Sequence, residues 1–167
     1  MKMNIKFRSA TLTDLPTIMQ IENTGFSKQE AATESAMQNR IQMISDSFIV
    51  ACNHENLPLG YVVGPVINER HLTDNLFQQT TKNPTIGGYQ SILSLAVAPQ
   101  WQNLGIASQL LTELKQISLK NKRQGITLTC LHRLIPYYEK NGYQVDGKSS
   151  SQHAGEIWYD MVLELPN

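Results

Sequence analysis

The amino-acid sequence predicts an α+β domain built around a mixed β-sheet, and three observations support this fold class. The chain has 167 residues, close to the length of one domain of common size. Hydrophobic residues make up 41% of it and charged residues 17%, a balance typical of globular rather than disordered proteins. Strand-like and helix-like hydrophobic patterns succeed one another without linkers, repeats or low-complexity tracts. We therefore expect residues 1–167 to form a single domain.

The N-terminal part is predicted to form a strand and two helices. The strand covers Asn4 to Arg8. The first helix is capped by Thr13, has Pro16 in its first turn and ends at Gly25. The second helix begins at Ser27, because Ser27-Lys28-Gln29-Glu30 has the Ser-x-x-Glu form of a capping box. The residues that share one side of each helix are Leu15, Ile18, Met19 and Glu22 in the first, and Met37, Ile41 and Ile44 in the second.

The middle of the chain is predicted to form a hairpin followed by a long polar segment. The hairpin strands are Phe48 to Cys52 and Leu59 to Ile67, because both are apolar and a polar turn separates them. Residues 68–88 carry only a weak helical pattern near residues 72–76. A segment of this length without strong periodicity is often functional or mobile.

The C-terminal half begins with a predicted strand, helix and strand. The strands are Ile92 to Val97 and Ile126 to Leu131, and Gly125 ends the helix between them. The apolar stripe of this helix is Ala107, Leu110, Leu111, Leu114 and Ile117. A crossover of this length makes the two strands parallel. The later elements are a short helix from Ile135 to Asn141, a strand from Tyr143 to Asp146, a polar loop over 148–155 and a terminal strand from Glu156 to Leu165.

The charge balance and the cysteine content restrict the class of partners. Lysine plus arginine equals aspartate plus glutamate, so no net charge attracts nucleic acid or an anionic membrane. The apolar runs are too short to span a bilayer, and the first residues lack a signal-peptide core. Cys52 and Cys130 lie in apolar strands, as expected of reduced core thiols in a cytoplasmic protein. We expect no nucleic-acid partner, no membrane partner and no metal.

The connection between the strand at Ile92 to Val97 and the following helix has the form Gln102-x-x-Gly105-x-Ala107. The helix that follows this connection begins with unpaired backbone N–H groups, which suit a phosphate. The small residues Gly105 and Ala107 allow a ligand to approach the backbone closely. The alternative is an ordinary strand–loop–helix connection in which these residues serve only close packing.

A second motif, Pro136-Tyr137-Tyr138-Glu139-Lys140-Asn141-Gly142-Tyr143, lies about three dozen residues beyond this loop. Together the two motifs resemble those of the GNAT superfamily of N-acetyltransferases, and the likeness covers nearly the whole chain. The resemblance implies a three-layer α/β sandwich with a mixed, mostly antiparallel sheet of about seven strands and about four helices. Gly60-Tyr61-Val62-Val63-Gly64 and Leu95-Ala96-Val97 are most similar to the arylalkylamine (serotonin-type) N-acetyltransferases.

The resemblance implies acetyl-CoA as cosubstrate and assigns residues to it. Tyr138 matches the family's general acid, which protonates the departing thiolate. Tyr137 is expected in the core, since neighbouring helical residues do not share a face. The positions expected to bind the cosubstrate are Leu95, Ala96, Val97, Gln102, Asn103, Leu104, Gly105, Ile106, Ala107 and Tyr138.

The acceptor side departs from the resembled enzymes, which carry two histidines on the strand before the loop. Ser91 and Leu93 stand at those positions. We expect Phe26, Ser91 and Leu93 to contact the acceptor, and His132 to begin a water-mediated path for the amine proton. Other candidates for the acceptor side, each with a plain structural alternative, are Glu22, Glu30, His54, His71, His153, Tyr61 and Trp158. For Glu22 and Glu30 that alternative is a solvated helix face.

The function expected from these residues is acetyl transfer to a small primary amine by direct attack on the thioester. One alternative is a CoA-binding sensor without catalysis, because the expected base residues are missing. Another is a protein or peptide N-acetyltransferase, which would need an open groove, and the shape of residues 68–88 should decide this. A monomer and a homodimer are both compatible with the sequence.

Overall fold

The computed structural model describes residues 4–166, within which four α-helices and nine strands are formed. The helices are α1 (Leu15–Gly25), α2 (Glu34–Met43), α3 (Ile106–Lys120) and α4 (Ile135–Lys140). The strands are β1 (Lys6–Ser9), β2 (Phe48–Cys52), β3 (Pro58–Val63), β4 (Val66–Ile67), β5 (Tyr89–Ile92), β6 (Ser94–Val97), β7 (Gly125–Cys130), β8 (Gln144–Lys148) and β9 (Tyr159–Glu164). Among these helices, none is long and apolar enough to cross a membrane.

The strands form two sheets, one in the order β1-β2-β3-β6 and one in the order β4-β5-β7-β9-β8. All neighbours are antiparallel except β5 and β7, which are parallel. Of the predicted strand Ile92 to Val97, only Ile92 belongs to this parallel pair, because β6, which leads into α3, pairs with β3 in the other sheet. The α+β fold class is confirmed. There are nine strands rather than about seven because the predicted strand Leu59 to Ile67 is divided into β3 and β4, and because β5, of which only Ile92 was predicted as strand, precedes β6.

The break between strands β5 and β6 at Leu93 is the point at which the two sheets separate. The sequence predicts one strand from Ile92 to Val97, whereas the structure ends β5 at Ile92 and begins β6 at Ser94 in the other sheet. On the facing strand the break falls at Gly64-Pro65, between β3 and β4. A Cβ atom on Gly64 would lie 2.0 Å from the carbonyl oxygen of Ser91, so only glycine fits this close approach. The two sheets separate there and leave a gap beside β6.

The first sheet is covered by helices on both faces, which gives the expected three layers. Successive residues of a strand point to opposite faces. In β2, Ile49 and Ala51 pack with the apolar stripe of α3, while Phe48, Val50 and Cys52 pack with α1 and α2. Cys52 and Cys130 are buried free thiols, as expected.

Three predicted helix ends are wrong. Thr11, rather than Thr13, caps a short 3-10 turn at Leu12–Asp14, and α1 follows it. Ser27 makes the expected exchange of hydrogen bonds with Glu30, but only within a turn. The helix α2 begins seven residues later, where the Thr33 hydroxyl accepts from the Ala36 N–H at 3.1 Å. The third error is at the end of α3, which finishes at Lys120, since Gly125 already pairs within β7.

Candidate active site

Two cavities lie beside the gap between the sheets and share one wall. The larger has a volume of about 920 Å³ and the smaller about 370 Å³. The residues that line both cavities are Leu95, Ala96, Val97, Gln102, Leu134 and Tyr138. The shared wall therefore consists of β6, one residue of the loop after it and part of α4 with the turn before it.

The smaller cavity lies against the N-terminus of α3. Gly105 caps this helix with a φ of 84°, a left-handed conformation that favours glycine. The first helical hydrogen bond to its carbonyl comes from the Gln109 N–H, which leaves the N–H groups of residues 106–108 without helical partners. The atom nearest to an added Cβ on Gly105 would be 3.9 Å away, so this position is open. The site suits a phosphate group.

One edge of β6 is open toward the cavities. The Ala98 N–H donates to the Leu59 carbonyl at 2.8 Å. The backbone N–H groups of the even-numbered residues of β6 therefore point toward β3. Because N–H groups alternate in direction along a strand, those of Leu95 and Val97 point to the other side. The Gln102 side chain closes the end of this edge by donating to the Val97 carbonyl at 3.0 Å.

Tyr138 is buried in α4 and contacts both cavities. Its ring packs edge-on against Tyr137 and Tyr143 at centroid distances of 5.4 and 5.7 Å. Burial raises the pKa of the Tyr138 phenol, with smaller contributions from Cys130 and Tyr137, so the hydroxyl stays protonated at neutral pH. The expectation that Tyr137 is only a core residue is corrected, since it lines the smaller cavity and its hydroxyl lies 3.0 Å from that of Ser108.

Glu22 supplies a buried carboxylate to the larger cavity. It is 1% exposed, so the expectation of a solvated face is wrong for this residue. One carboxylate oxygen accepts from the Ala32 N–H at 2.8 Å and from the Ser94 hydroxyl at 3.3 Å. The other oxygen accepts from the hydroxyl of Tyr61, whose pKa is raised by burial and by the Glu22 charge. These donors hold the carboxylate beside β6.

Arg40 brings a buried guanidinium to the same cavity. It is 1% exposed, and its Nη2 donates to the Phe77 carbonyl at 3.0 Å. Burial lowers the pKa of Arg40, while the charge of Glu22 opposes this change. Glu22 and Arg40 share a sequence signal, because each is a charged residue within the apolar stripe of its helix.

Three chain segments meet over the larger cavity, and we call residues 27–33, 74–78 and 149–158 the roof segments. The rings of Phe77 and His153 stack at a centroid distance of 5.3 Å. His153 Nε2 lies 3.4 Å from the Glu30 carbonyl, and the Trp158 indole donates to the His153 carbonyl at 2.8 Å. The carboxylate of Asp74 accepts from Ser151. These contacts connect the polar segment 68–88 to the opposite side of the cavity.

The structure brings together most of the residues expected to bind the cosubstrate. Leu104 is the exception, since it lines neither cavity and is 56% exposed on the outer side of the loop. The residues that do line one or both cavities are Leu95, Ala96, Val97, Gln102, Asn103, Gly105, Ile106, Ala107 and Tyr138.

The residues expected on the acceptor side divide into two groups. Phe26, Leu93 and Trp158 line the larger cavity. Ser91 does not, because it is fully buried at the sheet division and its hydroxyl donates to the Pro65 carbonyl at 2.6 Å. His132 lines neither cavity, and its ring packs against Tyr159 at a centroid distance of 5.7 Å.

Of the remaining histidines, His153 lines the larger cavity. His54 is largely exposed in the turn between β2 and β3, and its ring lies 3.5 Å from the carboxylate of Glu55. His71 pairs with Asp146 at 2.6 Å. Neither His54 nor His71 lines a cavity.

Comparison with known proteins agrees with this geometry. The family model of the acetyltransferase (GNAT) domain matches residues 45–145. By sequence, no curated protein shows a significant match to the chain. Similar solved structures include Ard1 from Thermoplasma volcanium, with 17% identity, a TM-score of 0.76 and coverage of 98% of this chain and 99% of that one.

Two further structures have the same fold. The loading GNATL domain of CurA from Lyngbya majuscula has 12% identity and a TM-score of 0.78, covering 96% of this chain and 98% of that one. Arabidopsis thaliana NAA60, in complex with a bisubstrate analogue, has 18% identity and a TM-score of 0.75, covering 98% of this chain and all of that one. At these identities the likeness concerns the fold.

Proposed function

The chain belongs to the acetyltransferase (GNAT) domain family, and from this we propose that it transfers the acetyl group of acetyl-CoA to the primary amine of a small molecule. The observation that carries the proposal is the shared wall between the two cavities. Tyr138 and the open edge of β6 lie on that wall. A thioester held at the wall would be within reach of a nucleophile from the larger cavity.

The donor side fits CoA. The unpartnered N–H groups at the N-terminus of α3 suit its pyrophosphate, and the open position at Gly105 lets this group approach the backbone. The N–H groups of Leu95 and Val97 face the thioester side of the wall and can stabilise negative charge on its carbonyl oxygen.

The acceptor amine must lose a proton before it attacks, because a primary alkyl amine has a pKa near ~10.4 by analogy with lysine. We assign the role of general base to Glu22, whose carboxylate lies beside β6 in the larger cavity. This assignment replaces His132, which does not line the cavity.

The leaving group is the CoA thiolate, and we assign its protonation to Tyr138. The nitrogen–carbon bond forms, the carbon–sulfur bond breaks, and the phenol proton passes to sulfur. The raised pKa of Tyr138 keeps this proton in place until the thiolate forms. The nitrogen then loses its second proton, which returns the Tyr138 phenolate to the phenol, and the proton held by Glu22 passes to solvent. The reaction needs no covalent intermediate on the protein.

The roof segments favour a small acceptor over a peptide. A peptide would need a groove along which the chain can leave the site in both directions. The stacking of Phe77 on His153, together with the contact from His153 to Glu30, connects the two sides of the larger cavity. This observation supports a small molecule as acceptor and weighs against protein or peptide acetylation.

The test measures CoA release from acetyl-CoA with a panel of small amines. We expect Tyr138→Phe to lower kcat by roughly 10²- to 10⁴-fold at saturating acetyl-CoA, since general acid catalysis contributes on that scale. The dissociation constant for acetyl-CoA should stay within error. The matched control is Tyr143→Phe, a buried neighbouring phenol that lines neither cavity.

Equal turnover in the wild type and Tyr138→Phe would remove Tyr138 from the mechanism. A chain that binds acetyl-CoA but releases no CoA with any amine would instead be a CoA-binding sensor. Calorimetry with acetyl-CoA and the turnover assay together separate these outcomes.

A further inference from the structure

Arg40 lines the larger cavity, and one end of its guanidinium has no hydrogen-bond partner among the described residues. Its Nη2 donates to the Phe77 carbonyl, but Nη1 has no hydrogen-bond partner among residues 4–166. The whole side chain is buried apart from 1% of its surface. A buried cationic N–H group without an acceptor is unfavourable, and a ligand that supplies an acceptor would remove this penalty.

Glu22 does not occupy this position. Its carboxylate accepts instead from Ala32, Ser94 and Tyr61, although its charge interacts with that of Arg40. The larger cavity is therefore lined by a carboxylate that has fixed donors and by an arginine whose buried Nη1 lacks an acceptor among the described residues. This arrangement complements a molecule that carries a cationic amine and an anion close together.

We propose that the acceptor is an amino-carboxylate of the α-amino acid type, with its carboxylate on Arg40 and its amine beside Glu22. The inference rests on the proposed acetyl transfer and specifies its substrate class. A planar guanidinium matches a carboxylate in shape and forms short charge-assisted hydrogen bonds with it. Phe26, Phe77 and Trp158 line the same cavity and provide apolar surface for the rest of the acceptor.

Besides the Cys130 thiol and the Tyr138 phenol, the other charged and titratable groups that line the cavity are Lys28, Glu30, Arg133 and His153. Glu30 accepts from the Ser27 hydroxyl at 2.8 Å, within the turn that precedes α2. None of these four side chains is buried, whereas Glu22 and Arg40 both are. Solvent weakens interactions with exposed charges, so discrimination between acceptors depends mainly on the buried pair.

The first experiment compares matched acceptors with the unmodified protein. Each amino acid is tested against its carboxamide and against the amine that lacks the carboxyl group, with CoA release as the readout. We expect kcat/KM for the best amino acid to exceed that of its carboxamide by about 10- to 100-fold, the range of one charge-assisted hydrogen bond. Equal values for the three members of each set would overturn the inference and leave acetyl transfer intact.

A second measurement does not depend on turnover. The N-acetylated amino acid and its carboxamide are titrated onto the protein in the presence of CoA, and their affinities are compared by calorimetry. Tighter binding of the acid by about tenfold or more supports the inference, and equal or absent binding of the acid contradicts it. If acids bind selectively but no amine is ever acetylated, the proposed function fails while the anion site stands.

The variants Arg40→Met and Arg40→Lys test the assigned residue. Arg40→Met should abolish the preference for the acid, while the affinity for acetyl-CoA is kept. The matched control is Arg123→Met, because Arg123 is also buried and also donates to a loop carbonyl, that of Gly87, but lies away from both cavities.

The two Arg40 variants keep the test decisive even if Arg40→Met does not fold. If Arg40→Met does not fold, Arg40→Lys decides, since it keeps the charge but loses the planar donor pair and should reduce the preference. If either folded Arg40 variant prefers the amino acid over its carboxamide as strongly as the wild type does, Arg40 is not the residue that binds the carboxylate.

Discussion

Glu22 and Arg40 are charged residues that lie on the buried, otherwise apolar sides of α1 and α2. In α1 the buried neighbours of Glu22 are Ile18 and Ile21, and in α2 those of Arg40 are Met37 and Ile41. Burying a charge is costly unless it is paired or hydrogen-bonded. Both residues line the larger cavity, and the proposed roles in catalysis and acceptor binding would account for their positions.

The proposed role of Glu22 as a general base predicts a pH-dependent loss of activity when it is replaced. Glu22→Gln should lower kcat/KM for the amine by about 10²-fold or more near neutral pH, because the amide cannot take the proton. The defect should shrink as the pH approaches the amine pKa of ~10.4, where the acceptor is already neutral. The value of kcat/KM is measured for the wild type and for Glu22→Gln from neutral pH up to the pKa of the amine.

The control for this prediction is Glu34→Gln, an exposed carboxylate in the first turn of α2 that lies outside both cavities. The pH profile of kcat/KM for Glu34→Gln should match that of the wild type. A defect in Glu22→Gln of equal size at every pH would indicate a structural role for Glu22.

At the scale of elements, the connection from β6 to α3 supplies the proposed donor site. Its backbone turns through Asn103 and Gly105, both with positive φ, and delivers the helix N-terminus to the smaller cavity. The second important connection is the division of β5 from β6 at Leu93, opposite Gly64. Each connection supports one mutational prediction.

Gly105→Val should weaken acetyl-CoA binding by about tenfold or more. The side chain would occupy the space through which a phosphate approaches the backbone, and a β-branched residue is strained at positive φ. Calorimetry measures the affinity. The control is Gly87→Val, since Gly87 has nearly the same φ of 85° and lies outside both cavities. Unchanged affinity in Gly105→Val would contradict the pyrophosphate assignment.

Gly64→Ala should destabilise the protein by about 1–3 kcal/mol, the usual scale for overpacking. Its Cβ would meet the Ser91 carbonyl oxygen at 2.0 Å, and backbone must move to relieve the contact. Gly25→Ala is the control, because the nearest atom to its Cβ would be 3.9 Å away. Urea unfolding measures both. Equal midpoints would mean that the sheets adjust freely at this point.

At the scale of the whole molecule, ion pairs of Arg70 and a hydrogen bond of His71 attach the segment 68–88 to β8 and β9 of the second sheet. Arg70 pairs with Asp146 and with Glu164, both at 2.7 Å, and His71 pairs with Asp146 at 2.6 Å. The segment continues into Phe77, which lines the larger cavity. The roof is therefore attached to β8 and β9 at one end and to α2 through Arg40 at the other.

These ion pairs predict a pH dependence of stability. Hydrogen bonds from Arg70 and then His71 lower the pKa of Asp146 to about 2, below its ordinary 3.8. A depressed pKa in the folded state adds stability above pH 3.8, and this contribution is lost as the pH falls toward 2. Solvent screening limits it to about 1 kcal/mol or less.

Asp146→Asn should therefore be less stable than the wild type at neutral pH, and the difference should shrink in acid. The control is Glu69→Gln, an exposed residue of the same segment. Thermal unfolding across the acid range measures the difference. A constant difference at all pH values would show that Asp146 does not act through its charge.

Much of the fold followed from local patterns in the sequence. The hairpin of β2 and β3, the crossover through α3 and the short helix α4 were predictable, because hydrophobic periodicity and turn residues act over a few neighbours. The division at Leu93 was not, because Ile92 to Val97 reads as one apolar run. It depends on Gly64 and Ser91, which lie far apart in the chain and meet only when the sheets form.

The sequence by itself determined the proposed donor half of this protein, since the loop from Gln102 to Ala107 and the motif around Tyr138 are contiguous segments whose chemistry is local. Only the tertiary structure decided the acceptor half. Glu22, Arg40 and the roof segments come from distant parts of the chain, and their side chains converge because the sheets separate beside β6. Burial then changes what these groups do, because a charge that is ordinary on a solvated helix becomes a selective binding or basic group in a cavity.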